Sequence, residues 1–314
     1  MFKRIVYKLL IGLPRKVYYY FLIFYRKYLL EKFPNLFRFS SKPYLTGDTL
    51  RSISDHILDD GKTINIKKIK NYDTIFVQSN YIDYYFENFS PNITKKHFLI
   101  SHNHYFPITD KYLMNLNNNL VLWFAENLIT SEPNSKLKAI PLGIENLKKF
   151  NNGIRSNFEN KSVLKNQSNK EKLVLSSFAP HTNLEKRKEI AEISSKVNFI
   201  DVKLFPNHKT YVINLSKYKF NICPSGIGFD THRYWESLLV KTIPIVITSN
   251  LINHYKDLGI PMLILSNWSE IYDFTEKELN KIYESKSKEF MNNSYLWINY
   301  WEGLIENEKI NLKM

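Results

Sequence analysis

A chain of 314 residues that is 44% hydrophobic and 24% charged has room for two ordinary domains, each with its own core, and is too apolar to be disordered. Its one cysteine, Cys223, excludes an internal disulfide framework and a zinc cluster. The net charge of +14 is concentrated at one end: residues 1–43 carry ten basic side chains against a single acid, Glu31, which argues for a local anionic partner and against nucleic acid spread over the body.

That first segment is also crowded with aromatics, among them Tyr7, Tyr18, Tyr19, Tyr20, Phe21, Phe24, Tyr25 and Tyr28. Its longest uncharged run, Val17 to Tyr25, falls well short of the ~20 residues that span a bilayer. No small-residue cleavage site follows, so a secretory signal fits poorly. The pattern predicts a basic amphipathic arm, broken near Pro14, lying in the headgroup region with Lys and Arg on anionic lipid. Docking on the protein's own core and stacking on RNA are the other readings of the same residues.

From Thr74 onward short apolar strands alternate with longer mixed segments, which predicts an α/β fold with parallel sheets. The first half offers strands at 74–78, 98–101, 121–124 and 139–141, with helical stretches at 82–88 and 110–115. Residues 151–172 are polar and contain one aromatic, Phe158, so they are expected to be a linker between lobes. The second half offers strands at 173–177, 199–204, 220–223 and 243–248, and helices at 183–195, 211–216 and 231–240. Residues 276–304 are expected to be helical, with Trp297 and Trp301 on one face.

Chemistry is expected at residues 220–247, FNICPSGIGFDTHRYWESLLVKTIPIVI. Gly226 and Gly228 follow a strand end and let the backbone approach a ligand closely. Asp230 or Thr231 can cap the next helix, whose amides and dipole suit a phosphate. His232, Arg233 and Glu236 fall on one helical face. Arg233 would neutralise a diphosphate, and an ionised Glu236 can accept both hydroxyl hydrogens of a ribose. In the alternative reading the glycines only make a turn and Arg233–Glu236 is a surface ion pair.

The string CPSGIGFDTHRYWESL, followed by IPIVI and LILSNWSEI, resembles the donor-binding half of exostosin-like glycosyltransferases. IFVQSNYIDYYF, FLISHNHYFP, LWFAENL and IPLGIEN resemble the acceptor-side lobe of bacterial members in the same order, and LVLSSFAPHTNLEKRKEI resembles their first donor-lobe strand and helix. The resemblance covers residues 72–271. It implies a GT-B fold, two Rossmann-like lobes around a cleft, and an inverting transfer from a sugar nucleotide to a glycan or lipid-linked acceptor in surface polysaccharide assembly, usually without metal. The corresponding division is an arm at 1–43, an acceptor-side lobe at 44–160, a nucleotide-sugar lobe at 161–275, and helices at 276–314 packing back on the first lobe. Donor-binding residues would be Thr182, Arg187, Ser225, Gly226, Gly228, Asp230, His232, Arg233 and Glu236. Many relatives have Arg where Ser225 stands, which shifts phosphate charge onto Arg187 and Arg233. His104-Tyr105 also departs from the family pattern and leaves the base open between His102 and Glu145.

No Asp-x-Asp ends an apolar strand, so neither a metal nor another cofactor is expected. A fucosyltransferase-like GT-B enzyme and a non-catalytic relative are the alternatives in function. The arm implies a cytoplasmic protein, peripheral on the inner face of the membrane, with no nucleic-acid partner.

Overall fold

The computed structural model describes residues 40–149 and 151–312, together with Val17, Tyr20, Phe21, Phe24 and Arg38. Most of the basic arm, and therefore its expected amphipathic helix, lies outside the described residues. Arg38 belongs to the body: its guanidinium reaches Asp48 at 2.5 Å and Asp59 at 3.1 Å, both buried.

The first lobe begins with helix α1 (Gly47–Ser52), closed by a capping box between Thr46 and Thr49. Five parallel strands follow: β1 (His56–Leu58), β2 (Asp73–Gln78), β3 (His97–His102), β4 (Leu120–Ala125) and β5 (Leu137–Ala139). They pair in sequence order, so every carboxyl end points to the same edge. The inner strands are near-continuous apolar runs because both faces of a parallel sheet are covered. Helix α2 (Ile82–Asn88) links β2 to β3 and buries Ile82, Tyr85 and Phe86, which are three and four residues apart. Phe86 packs edge-on against Trp123, whose indole N–H donates to Ser101 Oγ at 2.9 Å. Residues 110–115 form a 3₁₀ helix.

The expected linker is structured. Helices α3 (Arg155–Phe158) and α4 (Lys161–Ser168) occupy it, and Phe158 and Val163 are buried in a satellite core with Tyr44, Leu175, Val212 and Leu215. Polar composition hid two short helices that each bury a single apolar side chain.

The second lobe carries β6 (Lys172–Ser176), α5 (Leu184–Lys196), β7 (Ile200–Val202), α6 (His208–Leu215), β8 (Tyr218–Ile222), α7 (His232–Leu239), β9 (Ile243–Ile247), α8 (Asn250–Asp257) and β10 (Leu263–Leu265). Strand order is β10-β9-β8-β6-β7, all parallel. The chain therefore reverses direction across the sheet between β6 and β8, and ligands of open α/β sheets bind in the crevice at such a switch point. Helix α9 (Glu276–Lys286) packs on this lobe, where Tyr283 meets Phe220 and donates to the Lys241 carbonyl. Helix α10 (Ile298–Asn311) returns to the first lobe, with Trp301 against Phe124. Trp297 precedes α10, stacks on Tyr44 and is partly exposed, whereas Trp301 is buried; the two do not share a helical face.

Candidate active site

The carboxyl ends of the two sheets face each other across a cleft of ≈ 540 Å³ lined by both lobes, among them His102, Glu126, Arg187, Gly228, His232 and Arg233. A second chamber of ≈ 380 Å³ continues from it past His232 and Arg233 to Phe205, His208 and Glu236. Two parallel-sheet lobes with the ligand cleft between them define one architecture. The fold is GT-B.

No family model matches the chain, and no curated protein matches it. Among solved structures it is similar to an α,α-trehalose-phosphate synthase (UDP-forming) from Burkholderia vietnamiensis, with TM-score 0.41 and 9% identity over 78% of this chain and 75% of that one. It is similar to apo OtsA, with TM-score 0.44 and 9% identity over 77% and 74%. It is also similar to an α1,3-fucosyltransferase solved with GDP-fucose, with TM-score 0.34 and 14% identity over 72% and 84%. At these scores the likenesses say nothing about chemistry, which has to be read from the GT-B cleft itself.

In the second lobe, Arg187 lies on the same face of α5 as Ile190 and Ser194 and is buried with them. Its Nε donates to the Ser225 carbonyl at 3.0 Å, Nη1 to Ala179 O at 2.9 Å and Nη2 to Pro224 O at 3.3 Å, and Nη1 also meets Thr182 Oγ1. Burial, then the charge of Arg233, lowers its pKa to about 10. Arg187 thus holds the glycine loop in place, and its charge stands behind that loop. Arg233 spends only Nε, on the Ser177 carbonyl at 2.9 Å. Neither guanidinium meets a carboxylate among the described residues.

Thr231 occupies the N-cap of α7 but makes no side-chain cap. The amides of His232 and Arg233 therefore lack an intrahelical acceptor at the helix's positive end. Glu236, one turn on, is buried, and its Oε1 accepts from His208 Nε2 at 3.0 Å. Asn157 Nδ2 donates to His208 Nδ1 at 3.0 Å and so fixes that tautomer. Burial alone would push the Glu236 carboxyl up; His208, His232 and Arg233 outweigh it and leave it below the usual range. The surface ion pair of the alternative reading is absent, because Glu236 pairs with His208 instead.

The other expected donor residues divide. Thr182, Gly226, Gly228 and His232 line the cleft. A Cβ on Gly228 would stand 3.2 Å from Tyr105 Cβ, so its bareness lets the loop lie against the first lobe. Ser225 lines a different cavity, beside Cys223 and Pro224, and reaches the site only through its carbonyl. Asp230 is a fastening between lobes: its carboxylate accepts from the amides of Leu142 (2.9 Å) and Thr231 (2.6 Å), from Trp235 Nε1 (3.0 Å) and from Tyr255 Oη (2.6 Å). Burial raises it to about 6 against those four donors.

In the first lobe, His102 is fully buried at the cleft floor with both ring nitrogens engaged, Nε2 on the Pro141 carbonyl (3.1 Å) and Nδ1 on the Asn103 amide (2.7 Å). Glu145 is outside both chambers; its Oε2 accepts from the Asn152 amide at 2.7 Å and ties down the interlobe segment. Asn103 and Asn127, directly after β3 and close after β4, hold φ of 71° and 51°, a left-handed conformation that clusters at functional sites. Sequence reasoning did not single out Glu126, Asn127, Asn157 or His208. A polar pair closing the apolar strand of LWFAENL was the signal available for the first two; no local pattern marks the others.

Proposed function

We propose that the protein is an inverting glycosyltransferase of the exostosin-like type that moves a sugar from a nucleoside-diphosphate donor to a glycan or lipid-linked acceptor. The observation that supports it is the juxtaposition at the β6/β8 switch point: two guanidinium groups without a carboxylate, the uncapped start of α7, and one turn along it a buried carboxylate held ionised by His208. Groups suited to an anion and to a polyol lie one helical turn apart in a continuous cleft. As the glycosidic bond to the diphosphate breaks, the electron pair left on its oxygen is stabilised by Arg233 and the α7 amides, with the Arg187 charge behind them. Those groups supply the positive charge that a divalent ion supplies in other transferases, so no cofactor is proposed.

The arm is proposed to hold the enzyme on the inner face of the membrane. Val17, Tyr20 and Phe24 are helical, spaced three and four apart, and at least half exposed. No helix among the described residues is long and apolar enough to cross a membrane.

The test is a thermal-shift screen of sugar nucleotides followed by donor hydrolysis in chelator. A stabilising nucleoside-diphosphate sugar that is turned over equally with and without chelator is the expected result. Turnover that vanishes in chelator and returns with manganese would overturn the metal-independent reading.

A further inference from the structure

The cleft floor contains a contact between two acceptors. Glu126 follows β4, is 2% exposed, and lines the cleft. Its Oε2 lies 3.0 Å from His102 Nδ1, the ring nitrogen that also lies 2.7 Å from the Asn103 amide. His102 Nε2 carries the ring proton toward Pro141. Two lone pairs do not face each other at that distance unless a proton lies between them. Both side chains are shut off from water, at 1% and 2% exposure, so a neutral imidazole beside a carboxylic acid costs less than a buried ion pair, and the proton belongs to Oε2. Burial, then the charge of Asp230, holds the Glu126 carboxyl well above the usual range, against the Asn103 and His104 amides and the Asn127 side chain. Burial lowers His102 to about 4, which agrees with the same placement.

We propose that Glu126 is the proton acceptor of the transfer and that His102 is its positioning residue. This rests on the glycosyltransferase reading. Glu126 first releases its resting proton to solvent. As the acceptor oxygen bonds to the anomeric carbon, its hydroxyl proton passes to the Glu126 carboxylate. The bond from that carbon to the diphosphate oxygen breaks, and its electron pair stays on the diphosphate. His102 has no nitrogen to offer, and Glu145 is tied outside the cleft, so Glu126 is the carboxyl that the first lobe presents. The ionisable groups around the His102–Glu126 pair are His104 from the end of β3, Asp48 from α1, and Asp230, His232 and Tyr255 from the second lobe.

The experiment uses the full chain, UDP and GDP as binding probes, and as assay donor whichever UDP- or GDP-sugar the wild type turns over. Glu126→Gln should bind the nucleotide like wild type by calorimetry and lose a hundredfold or more in kcat, the scale of a lost general base. In the wild type, log kcat/KM should rise with unit slope through an acidic limb above the ordinary glutamate range. His102→Gln should move that limb while leaving nucleotide affinity unchanged. Wild-type kcat in Glu126→Gln, or a wild-type profile flat down to the ordinary glutamate range, would overturn the proposal; if the variant fails to fold, the wild-type profile decides. A wild type that binds neither nucleotide and turns over no donor would instead overturn the glycosyltransferase reading, and this inference with it.

Discussion

Arg233 and Glu236 stand three residues apart on α7, yet one keeps its cation open to the cleft and the other is walled in with an imidazole. Their role follows from that difference. Arg233→Ala or Glu236→Ala should weaken nucleotide binding ten- to a hundredfold, from charge-assisted bonds worth about 1.5–3 kcal/mol each, while the fold persists. His208→Ala should cost less at high pH and more at low pH. Without His208, burial dominates and Glu236 takes up its proton earlier as pH falls. Calorimetry across pH checks both; equal losses at every pH would separate His208 from the ionisation of Glu236. The pair on α7 was legible because helical spacing is local. His208 and Asn157 were not, since α6 and α3 are brought beside α7 only by the fold. Glu145 misled for the same reason: its place after a strand is visible, its amide partner at Asn152 is not.

Elements were readable where burial is two-sided. The inner strands β2, β3, β4, β6 and β9 stand within a residue or so of their sequence-based limits, because an apolar run flanked by polar turns has few other uses. β1 and β10 are three residues long at sheet edges and carry too little pattern to register. The segment 151–172 is the instructive failure. Its helices hold on through one buried side chain each, and Phe158 meets Tyr44 and His208. Phe158→Ala should therefore destabilise the protein by about 3–5 kcal/mol, as in a true core. A denaturant midpoint unchanged from wild type would return this segment to the status of a linker.

For the molecule as a whole, charge is divided between a basic arm and a body fastened by buried acids, two of which hold Arg38. Removal of residues 1–36 keeps that ion pair. The shortened chain should melt near the full-length temperature and lose most of its co-sedimentation with anionic vesicles, since each basic residue near such a surface contributes about 1 kcal/mol. Added salt should weaken the full chain's attachment by screening. Unchanged vesicle binding, or a truncated chain that does not fold, would place the arm in the core instead.

The Asn127 side chain serves both lobes at once. Its Oδ1 receives the Asp230 amide from the second lobe at 2.9 Å, and its Nδ2 donates to Glu126 at 3.2 Å. For anyone exchanging donor lobes between transferases to change the sugar delivered, this sets a compatibility rule. An incoming lobe must return a backbone N–H to Asn127 at the Asp230 position, or the graft will bind its new donor while the carboxyl on the other side of the amide swings out of register.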